Sequence, residues 1–309
     1  MTLSGCESDK IPTNLVIAHR GVPYYAPEET LPAYLLARDL GADYLEADLQ
    51  RTKDGRIIAL HDDNLRRTTN IADVFPERAD DLVSSFTWNE LQKLDAGSWF
   101  NTAYPDLARD SYKDLKIISL DQLIDLAEQG KHNPGLYLET KHPEQFPGIE
   151  VDLKQLLVKH NWYQKHFADG RPKVILQTFS PQGLELLHKN FPDTPISYLW
   201  WAGAGCLAEI DKTHVNECLD FAQKNGAHFI GPSFAGEQTK YANLLESWII
   251  DLIHDRGLKI HAYTFDTMTD IELFAPGCDG QFTNRTDLLL AYYGRDHRQV
   301  EDILTSFDY

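Results

Sequence analysis

The sequence predicts an α/β chain closed as a (β/α)8 TIM barrel, on three observations. From residue 118 onward, short apolar runs alternate with helix-length amphipathic segments, the order that builds a parallel sheet. His19, Glu46, Asp48, Glu139, Lys141, Gln177 and Tyr263 all stand late in predicted strands, and in such barrels the C-terminal strand ends carry the site. No GxGxxG or GxxxxGK[ST] turn is present, which argues against a doubly wound open sheet.

The elements follow in order. Leu15–Ala18 is a strand leading into His19–Arg20–Gly21. Glu29–Leu40 reads as a helix, with Leu31, Tyr34, Leu35 and Leu40 apolar and Gly41 as its stop. Tyr44–Leu49 and Ile57–Leu60 are strands with no room for a helix between them, so the second unit is irregular, a β-hairpin. Glu46 and Asp48, two apart in a strand, share a face. Asp54–Gly55 reads as a two-residue loop, since both positions tolerate positive φ. That register sets His61 directly opposite Asp48, ~5 Å apart at Cβ.

Residues 63–117 break the rhythm and read as an insertion after the third strand, with a helix over Trp88–Leu94, that helps to shape a substrate pocket. Strands are then expected at Gly135–Lys141, Val174–Phe179, Ile196–Trp200, His228–Gly231 and Lys259–Phe265, with a short closing segment DGQFTN. Helices are expected at Leu120–Gln129, Ile149–His160, Gln182–Asn190, Val215–Asn225, Leu244–Arg256, Thr269–Phe274 and Thr286–Tyr293. With no repeat, low-complexity tract or second linker, residues 14–309 read as one domain behind a polar segment, residues 1–13.

Composition narrows the function. A net charge of −18 argues against gripping nucleic acid or an anionic membrane by electrostatics, and no apolar run approaches the ~20 residues of a spanning helix. Cys206, Cys218 and Cys278 lack CxxC spacing, which argues against a zinc or redox site. Cys206 and Cys218 are either a disulfide of an oxidising compartment or buried free thiols.

Phosphodiester cleavage needs a base on the incoming oxygen, an acid on the leaving one and cations on the non-bridging oxygens. His19 and His61 suit the proton transfers because imidazole titrates near neutrality. Glu46, Asp48 and Glu139 form a hard-oxygen set for one divalent ion, Ca2+ or Mg2+. Arg20, with its planar fork, and Lys141, a point charge, would hold the phosphate, and Tyr263 would line the pocket or pack beneath it. Two alternatives stay open: Glu139 pairs with Lys141 instead of a metal, and Glu28 either orients Arg20 or caps the following helix.

At these residues the chain resembles the glycerophosphodiester phosphodiesterases: HRG at 19–21, PEET at 27–30, EAD at 46–48, KDG at 53–55, HDDNLRRTT at 61–69 and ETK at 139–141. The resemblance implies a small-molecule glycerophosphodiester substrate, two histidines as acid and base, three acids on a metal, and the substrate's adjacent hydroxyl as internal nucleophile through a cyclic phosphate. No protein partner is expected. Glu29 stands where the pattern has asparagine, AYTF departs around Tyr263, and Asn284 replaces the last acid of DGxxTD; these departures are expected to touch selectivity and to spare the catalytic set. One alternative is a lysophospholipase D or sphingomyelinase D, with Trp88, Trp99, Phe100, Trp200 and Trp201 lining an acyl channel. Another is a non-catalytic phosphodiester-binding lipoprotein.

Leu3–Ser4–Gly5–Cys6 resembles a bacterial lipobox, in which the cysteine is acylated, and Glu7–Thr13 would be the polar linker after it. No basic or apolar leader precedes it, so either a leader has been trimmed or the match is chance. The expectation is a periplasmic or cell-envelope lipoprotein tethered through Cys6, with the cytoplasm as the alternative.

Overall fold

The computed structural model describes residues 12–142, 145–203, 205–236 and 242–309; the predicted lipobox and Cys6 lie outside them. Nine strands form one sheet: β1 Leu15–Ala18, β2 Tyr44–Arg51, β3 Ile57–Ala59, β4 Gly135–Thr140, β5 Val174–Thr178, β6 Ile196–Trp200, β7 Phe229–Pro232, β8 Lys259–Ala262 and β9 Gly280–Thr283. All but β3 pair in parallel and close into an eight-stranded ring, with β9 meeting β1 and β1 meeting β2. The barrel is the predicted one. β3 runs antiparallel on the upper half of β2, above the point where β1 stops.

Alternation along the strands explains where the polar groups lie. Leu15, Ile17, Tyr44, Tyr137, Ile175, Phe229 and Phe282 meet in a buried cluster inside the ring, and the intervening residues face the helices. On that outer side Val16, Leu45, Leu138, Leu176, Ile230 and Ile260 pack with Leu36, Leu123, Leu153, Leu187, Leu219 and Ile253. Following the inner face toward the C-terminal ends, side chains of period two change from apolar to charged: Ile17 to His19, Tyr44 to Glu46 and Asp48, Tyr137 to Glu139, Ile175 to Gln177. An apolar plug thus floors a polar cup.

Four local expectations are corrected. The hairpin loop has three residues: Thr52 N donates to Arg56 O, Gly55 N to Thr52 O, and Gly55 takes φ of 84°. This is a type I turn closed by a left-handed residue, and it pairs Leu49 with Ala59. Leu60, not His61, then binds Asp48, donating to its carbonyl at 2.9 Å. The first helix spans Leu31–Leu40, two residues later than predicted, because Glu29 holds φ of 55° with its carboxylate accepting from Asp48 N at 2.7 Å. The helix predicted over Trp88–Leu94 ends at Leu91. β8 also stops at Ala262, short of the predicted Phe265.

Cys206 and Cys218 are joined in a disulfide, and Cys278 is a buried free thiol. Among the described residues no helix is long and apolar enough to cross a membrane.

His261, on β8, is fully buried in the barrel, stacked on Phe229 with ring centroids 4.1 Å apart and hydrogen-bonded through Nδ1 to the Tyr137 hydroxyl at 3.0 Å. Burial, assisted by Lys259, lowers its pKa to about 3. A histidine depressed in the fold contributes stability above its unfolded pKa and loses it as pH falls toward the folded one. Between pH 7.5 and pH 5 this single group should cost about 2 kcal/mol. The expected outcome is that His261→Leu lowers stability at pH 7.5 but narrows the loss on going to pH 5, as urea melts at the two pH values would show.

Candidate active site

A cavity of about 780 Å³ opens at the C-terminal end of the barrel. His19, Arg20, Glu46, His61, Glu139, Lys141 and Tyr263 all line it, and Asp48 lies beneath. The predicted site residues within the described chain therefore converge.

The floor is acidic. Glu46, Asp48 and Glu139 are buried, and one carboxylate oxygen from each lies within 4.8 Å of the others. The ladder makes this inevitable, since β2 and β4 pair Asp48 with Glu139, and Glu139 pairs in turn with Gln177 of β5. Burial, together with the Asp48 charge, pushes Glu46 well above the ordinary carboxylate range. Burial outweighs Lys141 to push Glu139 up to about 7. Asp48 goes the other way: burial opposes its charge, but Lys141 and Arg20 hold it well below the usual range. Three buried oxygen donors, so crowded that Glu46 and Glu139 are pushed toward their protonated forms, fit a hard divalent cation. Glu139 also pairs with Lys141, whose Nζ sits 3.0 Å from its Oε1 and 3.5 Å from Asp48 Oδ1, so the lysine already provides part of the positive charge the set calls for.

Arg20 is held from three sides. Its backbone N–H donates to Glu46 Oε2 at 2.8 Å, Nε lies 3.0 Å from Asp48 Oδ2, and Nη1 donates to Glu28 Oε1 at 3.2 Å. The backbone turn that permits this leaves Gly21 at φ of 89°, where a Cβ would fall 2.7 Å from the Ala33 carbonyl carbon, so only glycine fits. Glu28 orients Arg20; the helix cap position is taken by Thr30.

The two histidines have different partners. His61 Nδ1 donates to Asp62 Oδ1 at 2.6 Å. His19 Nδ1 lies 2.8 Å from Asn284 Oδ1, a neutral amide. Burial, then the neighbouring Arg20, lowers the His19 pKa to about 3, so its imidazole is neutral at physiological pH.

The sequence reading missed several supporting residues. Gln50 continues the inward series of Glu46 and Asp48, a signal available from period two, and its Nε2 donates to the carbonyls of Leu60, His61 and Asp62 at 2.8, 3.2 and 2.6 Å. Arg67, inside the HDDNLRRTT motif, grips Glu28 and Asp62 with paired bonds of 2.7 to 2.9 Å. It is the residue of the 63–117 segment that reaches the cavity; the rest packs around its own apolar residues, among them Phe86, Leu91 and Phe100, so the insertion shapes the pocket less than expected. The departures are also closer to the site than expected: Asn284 touches His19, and Glu29 binds Asp48. Trp88, Trp99 and Phe100 do not line the cavity, and Trp200 is buried, offering its carbonyl to the Tyr263 hydroxyl at 2.7 Å. The opposite wall is apolar, built from Phe179, Pro181, Leu199 and Trp201.

Because Gln50 pins the backbone that carries His61, Gln50→Leu should lower kcat on the order of 10²-fold through misplacement alone, with KM little changed. Steady-state kinetics on folded variant would check it, and a kcat within twofold of wild type would contradict it.

Comparison with known proteins follows the same lines. A profile of the Glycerophosphoryl diester phosphodiesterase family matches residues 19–288. The glycerophosphodiester phosphodiesterase of Bacillus subtilis (strain 168) is 37% identical over 275 residues, covering 89% of this chain and 84% of the relative. That of Caldanaerobacter subterraneus subsp. tengcongensis is 28% identical over 278 residues, covering 89% and 96%. Among solved structures, an Oleispira antarctica phosphodiesterase in complex with the product sn-glycerol-3-phosphate matches with a TM-score of 0.67 at 22% identity, over 94% of this chain and 99% of that one. A glycerophosphodiester phosphodiesterase from Agrobacterium tumefaciens str. C58 matches with a TM-score of 0.64 at 24% identity, over 90% and 99%. The structures agree on the fold, and the profile and the Bacillus relative settle the lineage: the chain belongs to the glycerophosphoryl diester phosphodiesterase family.

Proposed function

We propose that this enzyme hydrolyses glycerophospho-alcohols such as glycerophosphocholine or glycerophosphoethanolamine to sn-glycerol 3-phosphate and the alcohol, with His19 as the base and His61 as the acid. The observation that carries the reading is the difference between the two hydrogen-bond partners. An imidazole whose Nδ1–H is held by a carboxylate, as that of His61 is by Asp62, has a fixed ring orientation and can give a proton from Nε2. A buried imidazole beside an arginine, as His19 is, stays neutral, and with its Nδ1–H on the Asn284 amide oxygen it presents the Nε2 lone pair.

In this scheme Arg20 and Lys141 hold the phosphate from the acidic side of the cavity. The glycerol hydroxyl next to the phosphoester gives its proton to His19 as its oxygen adds to phosphorus. The P–O bond to the alcohol breaks, and that oxygen takes the proton from His61. Both reacting groups belong to one molecule, so proximity supplies much of the rate. Opening of the cyclic phosphate by water runs the two proton transfers in reverse, which restores both histidines. Glu46, Asp48 and Glu139 would hold a Ca2+ or Mg2+ ion, whose charge would stabilise the phosphoryl oxygens.

The apolar wall favours a second reading. Phe179, Pro181, Leu199 and Trp201 also line a smaller adjoining hollow with Tyr198, Trp200, Cys206 and Leu207, the kind of lining a lysophospholipase D would need for an acyl chain. The bridged Cys206–Cys218 pair supports an oxidising compartment and, with Leu3–Cys6, a cell-envelope lipoprotein; an unmodified Cys6 in the mass spectrum of natively expressed protein would overturn the lipid tether.

The test of function is release of sn-glycerol 3-phosphate from glycerophosphocholine. Turnover that EDTA stops, Ca2+ or Mg2+ restores and His61→Ala abolishes is the expected outcome. Faster turnover of lysophosphatidylcholine would favour the second reading, and no turnover of either substrate with metal present would overturn both.

A further inference from the structure

Behind His19 lies a second hydrogen-bonded pair. Asn284, one residue past β9, accepts from His19 Nδ1 through Oδ1, while its Nδ2 donates to Asp266 Oδ2 at 2.7 Å and its backbone N–H to Asp266 Oδ1 at 2.8 Å. An amide can be turned end for end, and which end faces a histidine decides which ring nitrogen carries the proton. Here the choice is made by Asp266, whose two oxygens accept from Asn284. With the NH2 so directed, the amide oxygen must face His19, and Nδ1 must be the donor.

The loops that bear these residues are joined to each other as well. Phe265 N donates to Phe282 O at 2.8 Å, and the Thr283 hydroxyl donates to Phe265 O and accepts from Arg285 N. Both Asp266 and Asn284 are set by the pairing of β8 with β9, and His19 follows β1, whose other neighbour is β9. His19 N in turn donates to Thr283 O at 3.1 Å. Three consecutive strands of the ring thus end in a chain of side-chain bonds pointing at one imidazole.

We propose that Asn284 and Asp266 are positioning residues that lock His19 in the Nδ1–H tautomer with its Nε2 lone pair turned to the substrate. The inference builds on the reading of His19 as base, and it assigns to residues that follow the two strands next to β1 in the ring the task of preparing that base. Neither residue touches the reacting atoms. Their effect is to supply one tautomer and one ring orientation, and a wrong tautomer alone is known to cost an imidazole base up to about 10⁴-fold in kcat.

The test combines kinetics with nitrogen NMR of histidine-labelled protein. In the wild type, His19 should show a protonated Nδ1 and an unprotonated Nε2; the opposite tautomer would overturn the proposal without any variant. Asn284→Leu, of similar volume but with no acceptor, should lower kcat on the order of 10²-fold or more with KM within about threefold, and His19 should lose its Nδ1–H signature. Asp266→Ala, which frees the amide to turn, should move both readouts in the same direction. The exchange N284D with D266N keeps an acceptor toward His19 and a donor behind it, and should restore kcat to within about tenfold of wild type. A folded Asn284→Leu variant that keeps the Nδ1–H tautomer, or an exchange variant as slow as Asn284→Leu, would overturn the positioning role. Loss of the tautomer with kcat unchanged would instead leave the positioning standing and overturn His19 as the base.

Discussion

Three carboxylates held together out of water are the constraint on which the site depends. Glu46, Asp48 and Glu139 are placed by strand register, and register cannot relax without displacing the apolar plug below them. Like charges so confined repel, and burial raises the cost further. The surroundings answer with donors and cations: Arg20 through its backbone and its guanidinium, Lys141 through its ammonium, and Gln177 by donating to Glu46 Oε1 at 3.0 Å. That compensation is incomplete, since Glu46 and Glu139 both remain shifted toward the protonated form. A metal ion bound there would supply the missing counter-charge.

The same crowding bears on the division of labour proposed for the histidines. Negative charge concentrated on the floor draws Arg20 inward beside His19, and burial, then this neighbouring cation, keeps His19 neutral. His61 arrives from the opposite direction, on the strand that rides above β1, and its carboxylate partner Asp62 is shared with Arg67 rather than with the metal set. Arg67 then closes a circuit through Glu28 back to Arg20. Arg20 and His61, the proposed phosphate ligand and the proposed acid, are thereby linked by one network of ion pairs through Glu28, Arg67 and Asp62.

How much of this was legible in the sequence depended on whether the signal was local. The barrel and its inward charges were readable because strand alternation is a property of consecutive residues, and Ile17–His19, Tyr44–Asp48 and Tyr137–Glu139 each carry it within five positions or fewer. The hairpin was readable in kind but not in register. Asp54–Gly55 suits a two-residue turn, yet Lys53 joins it in a three-residue loop because only Gly55 needs the left-handed conformation. The insertion lost most of its expected contact with the pocket because its aromatic residues found one another first. Asn284 and Asp266 were hidden for a different reason: they are 18 positions apart and meet His19 only through ring closure. Glu29 looked like a simple substitution until its positive φ turned its side chain under Asp48.

The most direct test of the account is calorimetric titration of chelator-treated protein with Ca2+, and separately Mg2+, near pH 6.5 in two buffers of different ionisation enthalpy. If the crowded carboxylates await a cation, an ion should bind with net release of protons from Glu46 and Glu139, and the binding should vanish in Asp48→Asn. Absence of binding by either ion, or binding that releases no proton and survives Asp48→Asn, would contradict the central claim.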